Sequence, residues 1–125
     1  MGGKNEQFKT DFKKRLYRYT LNLVKHIDSL PGDVVSRRMG DQLLRSGTSI
    51  IANYVEGQSG SSRKDFANYM QISLKSANEC RLWLSLLKDS GRANPARSDA
   101  LLQEAGEIAN IFGSIVLTVK GKKIP

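Results

Sequence analysis

Apolar residues recur along most of the chain at alternating steps of three and four positions, which is the period of amphipathic helices. In the first segment this stripe consists of Phe12, Leu16, Tyr19, Leu23, Ile27 and Leu30. Breaks rich in glycine, serine or proline fall near residues 31–32, 57–61 and 91–95. The pattern therefore predicts four helices, at about residues 11–30, 34–56, 62–90 and 98–120.

Short connections between amphipathic helices favour antiparallel neighbours. We therefore predict an all-α, antiparallel up-down-up-down four-helix bundle that forms a single domain over residues 1–125. Ser62 and Ser98 are the predicted N-caps of the third and fourth helices. Gly57 has the position of a left-handed C-cap, and Gly47 predicts the close approach of another helix.

Composition and charge narrow the choice of partner and compartment. The chain has 125 residues, a net charge of +8 and one cysteine, Cys80, so it forms no internal disulfide. Its N-terminus is polar, which together with the single cysteine favours the cytoplasm. No run of eighteen apolar residues is present, so we expect no membrane span. The positive charge favours RNA or DNA as a partner, and the alternative is that it only keeps the surface soluble.

The basic residues cluster on the first helix, near two helix starts and on the C-terminal tail. The candidates for phosphate contact are Lys13, Lys14, Arg15, Arg18, Arg37, Arg38, Arg63, Lys64, Lys120, Lys122 and Lys123. On the first helix these residues lie off the apolar stripe. A solvated helix face has the same appearance, so spacing alone leaves both interpretations open.

The residues needed for common catalytic or metal sites are missing from the pattern. The one histidine, His26, lies next to the apolar stripe without the spacing of a metal ligand, and we expect it at the helix surface or boundary. Cys80 has apolar neighbours and no nearby histidine, which indicates a core residue rather than a nucleophile. We therefore expect no enzyme, no cofactor and no metal.

A strip of polar residues follows the second helix and continues on the third. Its members are Arg45, Ser49, Asn53, Glu56, Ser76 and Glu79. One interpretation is a buried network in which Arg45 donates to Glu79 or Glu56, because an isolated buried charge is costly. Glu79→Ala would then cost roughly 3–5 kcal/mol compared with a surface control, Glu104→Ala. The other interpretation is that the strip faces water.

The stretch from Gln42 to Leu84 resembles a four-helix-bundle family first noted in intervening sequences of bacterial large-subunit ribosomal RNA genes. The matching elements are Arg45-Ser46, Ser49-Ile50, Asn53, Glu56-Gly57, Ser62, Lys64-Asp65-Phe66, Ser76 and Glu79. The resemblance implies a ribosomal-protein-like bundle that assembles into homopentamers and has no enzymatic activity. In such a bundle the polar strip would fix the packing of the second helix against the third.

A related branch is the accessory variability protein of diversity-generating retroelements, which the closing segment NIFGSIVLTVKGKK resembles. That branch implies binding to a reverse transcriptase and to nucleic acid. Our first functional hypothesis is a non-catalytic homo-oligomer that binds RNA or DNA through basic patches. The alternative is a protein-interaction scaffold that presents exposed aromatic residues such as Tyr17 and Tyr54.

Overall fold

The computed structural model describes residues 2–60 and 62–121, with side chains described from residue 5 onward. Four helices account for nearly all of these residues: α1 (Gly2–Asp28), α2 (Val34–Gly57), α3 (Arg63–Asp89) and α4 (Pro95–Gly121). No strand occurs among the described residues. The predicted all-α four-helix architecture is confirmed.

Polar caps start α2 and α3 where the sequence predicted. The Asp33 carboxylate accepts hydrogen bonds from the backbone N–H of Ser36 at 3.1 Å and from the Ser36 hydroxyl at 2.6 Å. These bonds, with a smaller contribution from Arg92, lower the pKa of Asp33 to about 2. The Ser62 hydroxyl accepts from the backbone N–H of Asp65 at 3.1 Å, so its predicted role as N-cap is confirmed.

The start of α4 differs from the prediction. The helix begins at Pro95, and the Asn94 side chain accepts a hydrogen bond from the backbone N–H of Arg97 at 2.9 Å. Proline is favoured at the first helical position because the backbone N–H that it lacks would have no partner there. Ser98 is therefore not the cap but a fully buried residue inside the helix.

Two other helix ends also differ from the prediction. α1 begins at Gly2 rather than near Asp11, and Phe8 stacks on Phe12 with ring centroids 5.5 Å apart. Gly57 is the last residue of α2 and has no positive φ, so it is not a left-handed cap. The left-handed glycine is Gly60, with a φ of 93°, in the turn that follows.

The helices form an antiparallel ring in which α1 neighbours α2 and α4, while α3 packs along α2 and α4. Within the described residues, no Cα atom of α1 lies within 8 Å of one of α3, and none of α2 lies within 8 Å of one of α4. Only side chains meet across the core, as Tyr54 and Phe112 do with ring centroids 6.0 Å apart. Phe12, near the start of α1, lies 5.1 Å from Tyr54 near the end of α2 and 5.2 Å from Phe112 near the end of α4, measured between ring centroids. These contacts agree with the up-down-up-down topology.

Glycines allow close helix contacts at two positions of α2. A Cβ atom at Gly47 would lie 2.6 Å from Leu23 Cδ1 of α1, which confirms the predicted close approach. A Cβ atom at Gly57 would lie 2.7 Å from Met70 Cε and 3.1 Å from Tyr69 Cβ of α3. Gly57 is therefore required by the packing of α3 rather than by the turn.

α4 is the one helix in the described part of the chain that is long and apolar enough to cross a membrane, by length and composition only. This is weak evidence for a span, because core helices pass the same test. Six apolar side chains of α4 lie in the core of the bundle: Leu101, Ala105, Ile108, Ala109, Phe112 and Val116.

Candidate nucleic-acid interface

The middle of α1 carries a basic surface that we call the α1 basic face, defined as Lys13, Lys14 and Arg18. All three side chains are exposed, and none of the ion pairs among the described residues involves them. Between Phe12 and Ile27 the helix has no acidic residue. These three cations therefore form no ion pair with a carboxylate of the described residues.

Arg15, although adjacent in sequence, is not part of this face. Its Nε lies 2.6 Å from Glu104 Oε2, and its Nη2 lies 2.8 Å from Glu104 Oε1 and 2.7 Å from Glu107 Oε1. The bond to Glu104 raises the pKa of Arg15, and the pKa of Glu107 is lowered by Gln103 and then by Arg15. Arg15 is therefore the one candidate for phosphate contact on α1 whose guanidinium is already bound to carboxylates, and it joins α1 to α4.

The basic residues near helix starts lie at opposite ends of the bundle. Arg37 and Arg38 are exposed in the first turns of α2, where Arg37 donates a hydrogen bond to the carbonyl of Gly32. Arg63 and Lys64 are exposed at the start of α3. Because α2 and α3 are antiparallel neighbours, these two pairs cannot form one patch with each other.

Of the three predicted cations near the C-terminus, only Lys120 lies among the described residues. Lys120 is exposed and donates from Nζ to Gln71 Oε1 at 3.2 Å. Lys122 and Lys123 lie outside the described residues. The structure therefore brings together only part of the predicted basic set, and the α1 basic face holds three of its exposed members on one helix.

Three residues of the predicted polar strip are hydrogen bonded where α2 meets α3. Asn53 Nδ2 donates to the Ser49 carbonyl at 2.8 Å and to Ser49 Oγ at 2.9 Å. Ser76 Oγ of α3 donates to Ser49 Oγ, also at 2.9 Å. This neutral part of the strip connects the two helices directly.

The charged part of the strip behaves differently. Arg45, Glu56 and Glu79 are exposed, and no ion pair joins any two of them. The prediction of a buried ionic network is therefore wrong. Burying these charges would cost several kcal/mol per ion in lost hydration, which an exposed position avoids.

Other polar contacts between α2 and α3 involve small residues that the sequence analysis did not single out for hydrogen bonding. Ser73 Oγ is fully buried and donates to the Ile50 carbonyl at 2.8 Å. Ser46 Oγ lies 3.3 Å from Cys80 Sγ. The sequence does contain a signal for these contacts. Serine residues occur at positions of the apolar stripe, where a short hydroxyl can reach the backbone of the facing helix.

The titratable core residues have pKa values that oppose ionisation. Burial raises the pKa of the Cys80 thiol to about 11, so the reactive thiolate is scarce at neutral pH. His26 is buried, contrary to the surface or boundary position that we expected, with its Nε2 3.5 Å from Ser98 Oγ. Burial and then Arg97 lower the pKa of His26.

Two further findings concern chemistry and partner surfaces. In residues 2–60 and 62–121, no three His, Cys, Asp or Glu side chains are grouped so that they could hold a metal ion. Tyr54 is buried in the aromatic cluster, so the expectation that it is exposed for a partner is wrong. Tyr17 is exposed, as expected.

Comparison with known proteins agrees with the resemblance found between Arg45 and Glu79. The model of the 23S rRNA-intervening sequence protein family matches residues 9–114. A solved structure of a protein of unknown function from the S23 ribosomal protein family of Bacteroides thetaiotaomicron is 33% identical, with a TM-score of 0.74. The match covers 83% of this chain and 96% of that one. No curated protein matches. The chain belongs to the 23S rRNA-intervening sequence protein family.

Proposed function

We propose that this protein is a non-catalytic, cytoplasmic homo-oligomer that binds RNA or DNA through the α1 basic face. One observation carries the proposal. Lys13, Lys14 and Arg18 are exposed on α1 without an ion-pair partner among the described residues, whereas the neighbouring Arg15 is neutralised by α4. Unpaired cations on a rigid helix are suited to phosphate groups, because no internal salt bridge has to break before they bind.

Binding of this kind reads charge rather than sequence. Lysine and arginine side chains release counterions from the phosphate backbone, and this term depends steeply on salt concentration. The α1 basic face has three cations, so a single protomer would bind weakly. Several copies of the face on one assembly would strengthen binding by avidity.

An exposed apolar side chain on α3 supports self-association, because Leu82 is 53% exposed. A homopentamer, which the family resemblance implies, would bury Leu82 and repeat the α1 basic face around a ring. Tyr17 and Leu21 are exposed on the same side of α1 as Lys14 and Arg18, so they would stay outside the subunit contact. Light scattering in solution would measure the number of subunits.

Titration of a labelled RNA over a range of salt concentrations tests the proposal. The test variant is Lys13→Ala/Lys14→Ala/Arg18→Ala. We expect weaker binding and a salt slope, log K against log salt, that is shallower by about 2–3, because fewer phosphates are neutralised. The control, Arg81→Ala/Lys88→Ala/Arg92→Ala, removes the same charge from α3 and the turn after it. Because Lys88 and Arg92 form ion pairs with Asp99 and Asp33, thermal melts of both variants check that each is folded at the assay temperature. Equal slopes for both variants would contradict the proposal.

A second candidate function is a protein-interaction scaffold, for example an accessory subunit of a reverse transcriptase. The exposure of Leu117, which is 73% exposed on α4, favours a protein contact. Nuclease-resistant binding to a purified reverse transcriptase, abolished by Leu117→Ser and retained by Leu117→Met, would support this function. Binding that disappears after nuclease treatment would support the first candidate instead.

A further inference from the structure

A second surface with binding chemistry lies between α2 and α3, away from the α1 basic face. It is a groove of about 380 Å³, which is within the size range that holds one small ligand. The lining residues that matter here are Gln42, Arg45, Ser49, Lys75, Glu79 and Trp83. The groove therefore brings together Arg45 and Glu79, the charged residues of the polar strip for which the fold shows no internal partner.

The Ser49 hydroxyl at this groove is arranged as a hydrogen-bond donor. Ser49 Oγ accepts one bond from Asn53 Nδ2 and another from Ser76 Oγ, each at 2.9 Å. A hydroxyl has two acceptor lone pairs and one proton, so these bonds leave the proton available. No described residue accepts it. Ser49 can thus donate to a molecule in the groove without losing a bond that it already makes.

The remaining groups supply an aromatic surface and charge. Trp83 is the only tryptophan of the chain and packs partly against the core, so its ring is held in place. Arg45 and Lys75 are exposed and form no ion pair with Glu79 or any other described carboxylate. Together the two cations and one carboxylate leave the groove with an excess of one positive charge.

This combination fits a nucleotide. An aromatic ring stacks on any base, cations bind the adjoining phosphate, and a carboxylate accepts hydrogen bonds from exocyclic amino groups of a base. We propose that the groove between α2 and α3 binds one unpaired nucleotide of single-stranded nucleic acid. The inference rests on the proposed function and adds the position of a base contact. Duplexes are excluded, because their bases are stacked and cannot reach Trp83.

Trp83 provides a direct readout of this groove. In one titration of the full-length protein with a fluorescein-labelled single-stranded RNA, anisotropy reports total binding and tryptophan emission reports occupation of the groove. We expect emission to be quenched in step with the anisotropy, and to be unchanged with a duplex of the same sequence. A single-stranded DNA arm shows whether the ribose hydroxyl contributes.

Substitutions distinguish binding in the groove from binding elsewhere on the protein surface. Trp83→Ala should weaken single-strand binding by about fivefold or more, and Trp83→Phe should retain most of the affinity because it keeps a stacking ring. Arg45→Ala/Lys75→Ala changes only exposed side chains and should weaken binding while the melting curve stays unchanged. Its matched control is Arg81→Ala/Arg97→Ala, which removes two exposed cations outside the groove that form no ion pair among the described residues.

The outcomes distinguish the two proposals. RNA binding with unchanged Trp83 emission, and with equal effects of the groove variant and its control, would overturn the groove assignment and leave the proposed function intact. Binding that depends on the groove but not on Lys13, Lys14 and Arg18 would overturn the role of the α1 basic face alone. Trp83 emission that follows protein concentration without RNA would show a contact between copies, and would overturn the nucleotide inference.

Discussion

The seam between α2 and α3 differs from the seam between α1 and α4 in how its polar groups are used. The α2–α3 seam is close-packed by small residues, and its polar contacts are neutral, as in the bond from Ser73 Oγ to the Ile50 carbonyl. The α1–α4 seam is less extensive. Its contacts are made by long side chains, with Tyr19 Oη donating to the Leu101 carbonyl at 2.9 Å and Arg15 bound to Glu104 at the surface.

This contrast shows where charge can take part in helix packing. Where two backbones approach closely, only short hydroxyls fit and charged side chains remain in water. Where the helices lie farther apart, long side chains cross the gap, and an ion pair can form because both partners keep contact with solvent. The two seams should therefore respond differently to added volume, to proton concentration and to loss of charge.

Added volume should have the largest effect, at the α2–α3 seam. Ser73→Leu places a large side chain at a fully buried position, and we expect a loss of about 2–3 kcal/mol in the free energy of unfolding. Ser73→Ala removes only the hydrogen bond and should cost about 1 kcal/mol. Urea unfolding measures both changes. Equal losses for the two variants would show that this seam is not tightly packed.

Acid should weaken the α1–α4 seam through His26. Burial and then Arg97 lower its pKa in the folded protein, so the unfolded chain takes up a proton first as the pH falls. Stability attributable to neutral His26 is complete above the unfolded pKa of about 6.5, and it is lost below that by at most about 1.4 kcal/mol per pH unit. We expect unfolding curves at pH 7.5 and pH 5.5, roughly one unit on either side of that value, to differ more for wild type than for His26→Gln. Parallel pH profiles would contradict the assignment.

Loss of charge should have the smallest effect on the free energy of unfolding, and we expect that effect only at the α1–α4 seam. Glu104→Gln removes the negative charge and one of the two hydrogen bonds to Arg15, and should cost about 0.5–1 kcal/mol because the pair is partly exposed. Glu79→Gln at the α2–α3 groove should change stability by less than about 0.5 kcal/mol, since Glu79 is exposed. Thermal melts in low salt would measure the difference. This order is the reverse of the one that a buried network implies, and a larger loss for Glu79→Gln would support that interpretation.

Apolar periodicity was sufficient to predict the four helices, because each helix buries one stripe along its length. Gly47 was also interpretable, since a glycine inside an amphipathic helix indicates a close neighbour. Helix starts were less predictable. Ser98 has the residue type of a cap, but Asn94 followed by proline provided a better one.

The polar strip shows what spacing cannot resolve. Each residue advances a helix by about 100°, so steps of four rotate the strip by about 40°. Over the eleven positions from Arg45 to Glu56 the helix makes just over three turns, which returns Glu56 to the outer side with Arg45. Ser49 and Asn53, between them, are turned toward α3. Of the four strip residues on α2, Ser49 and Asn53 therefore lie at the contact with α3, whereas Arg45 and Glu56 are exposed to solvent.

The site was predicted less well than the fold, because the sequence shows which residues are charged but does not show which charges form ion pairs with each other. Lys14 and Arg15 are adjacent basic residues with the same local pattern. Only the fold shows that Arg15 meets Glu104, whereas Lys14 has no ion-pair partner among the described residues. The groove at Trp83 was not predicted, because an apolar residue at helical spacing shows the same pattern whether it lines a groove or the core.

The ion pair of Arg15 with Glu104 also bears on synthesis, because its partners are separated by 89 positions in the chain. A ribosome completes α1, α2 and α3 before it makes the carboxylates that neutralise Arg15. Until then the guanidinium of Arg15 has neither of its carboxylate partners, so the nascent chain presents it together with Lys13, Lys14 and Arg18. Docking of α4 removes Arg15 from this set only when most of the chain has been made.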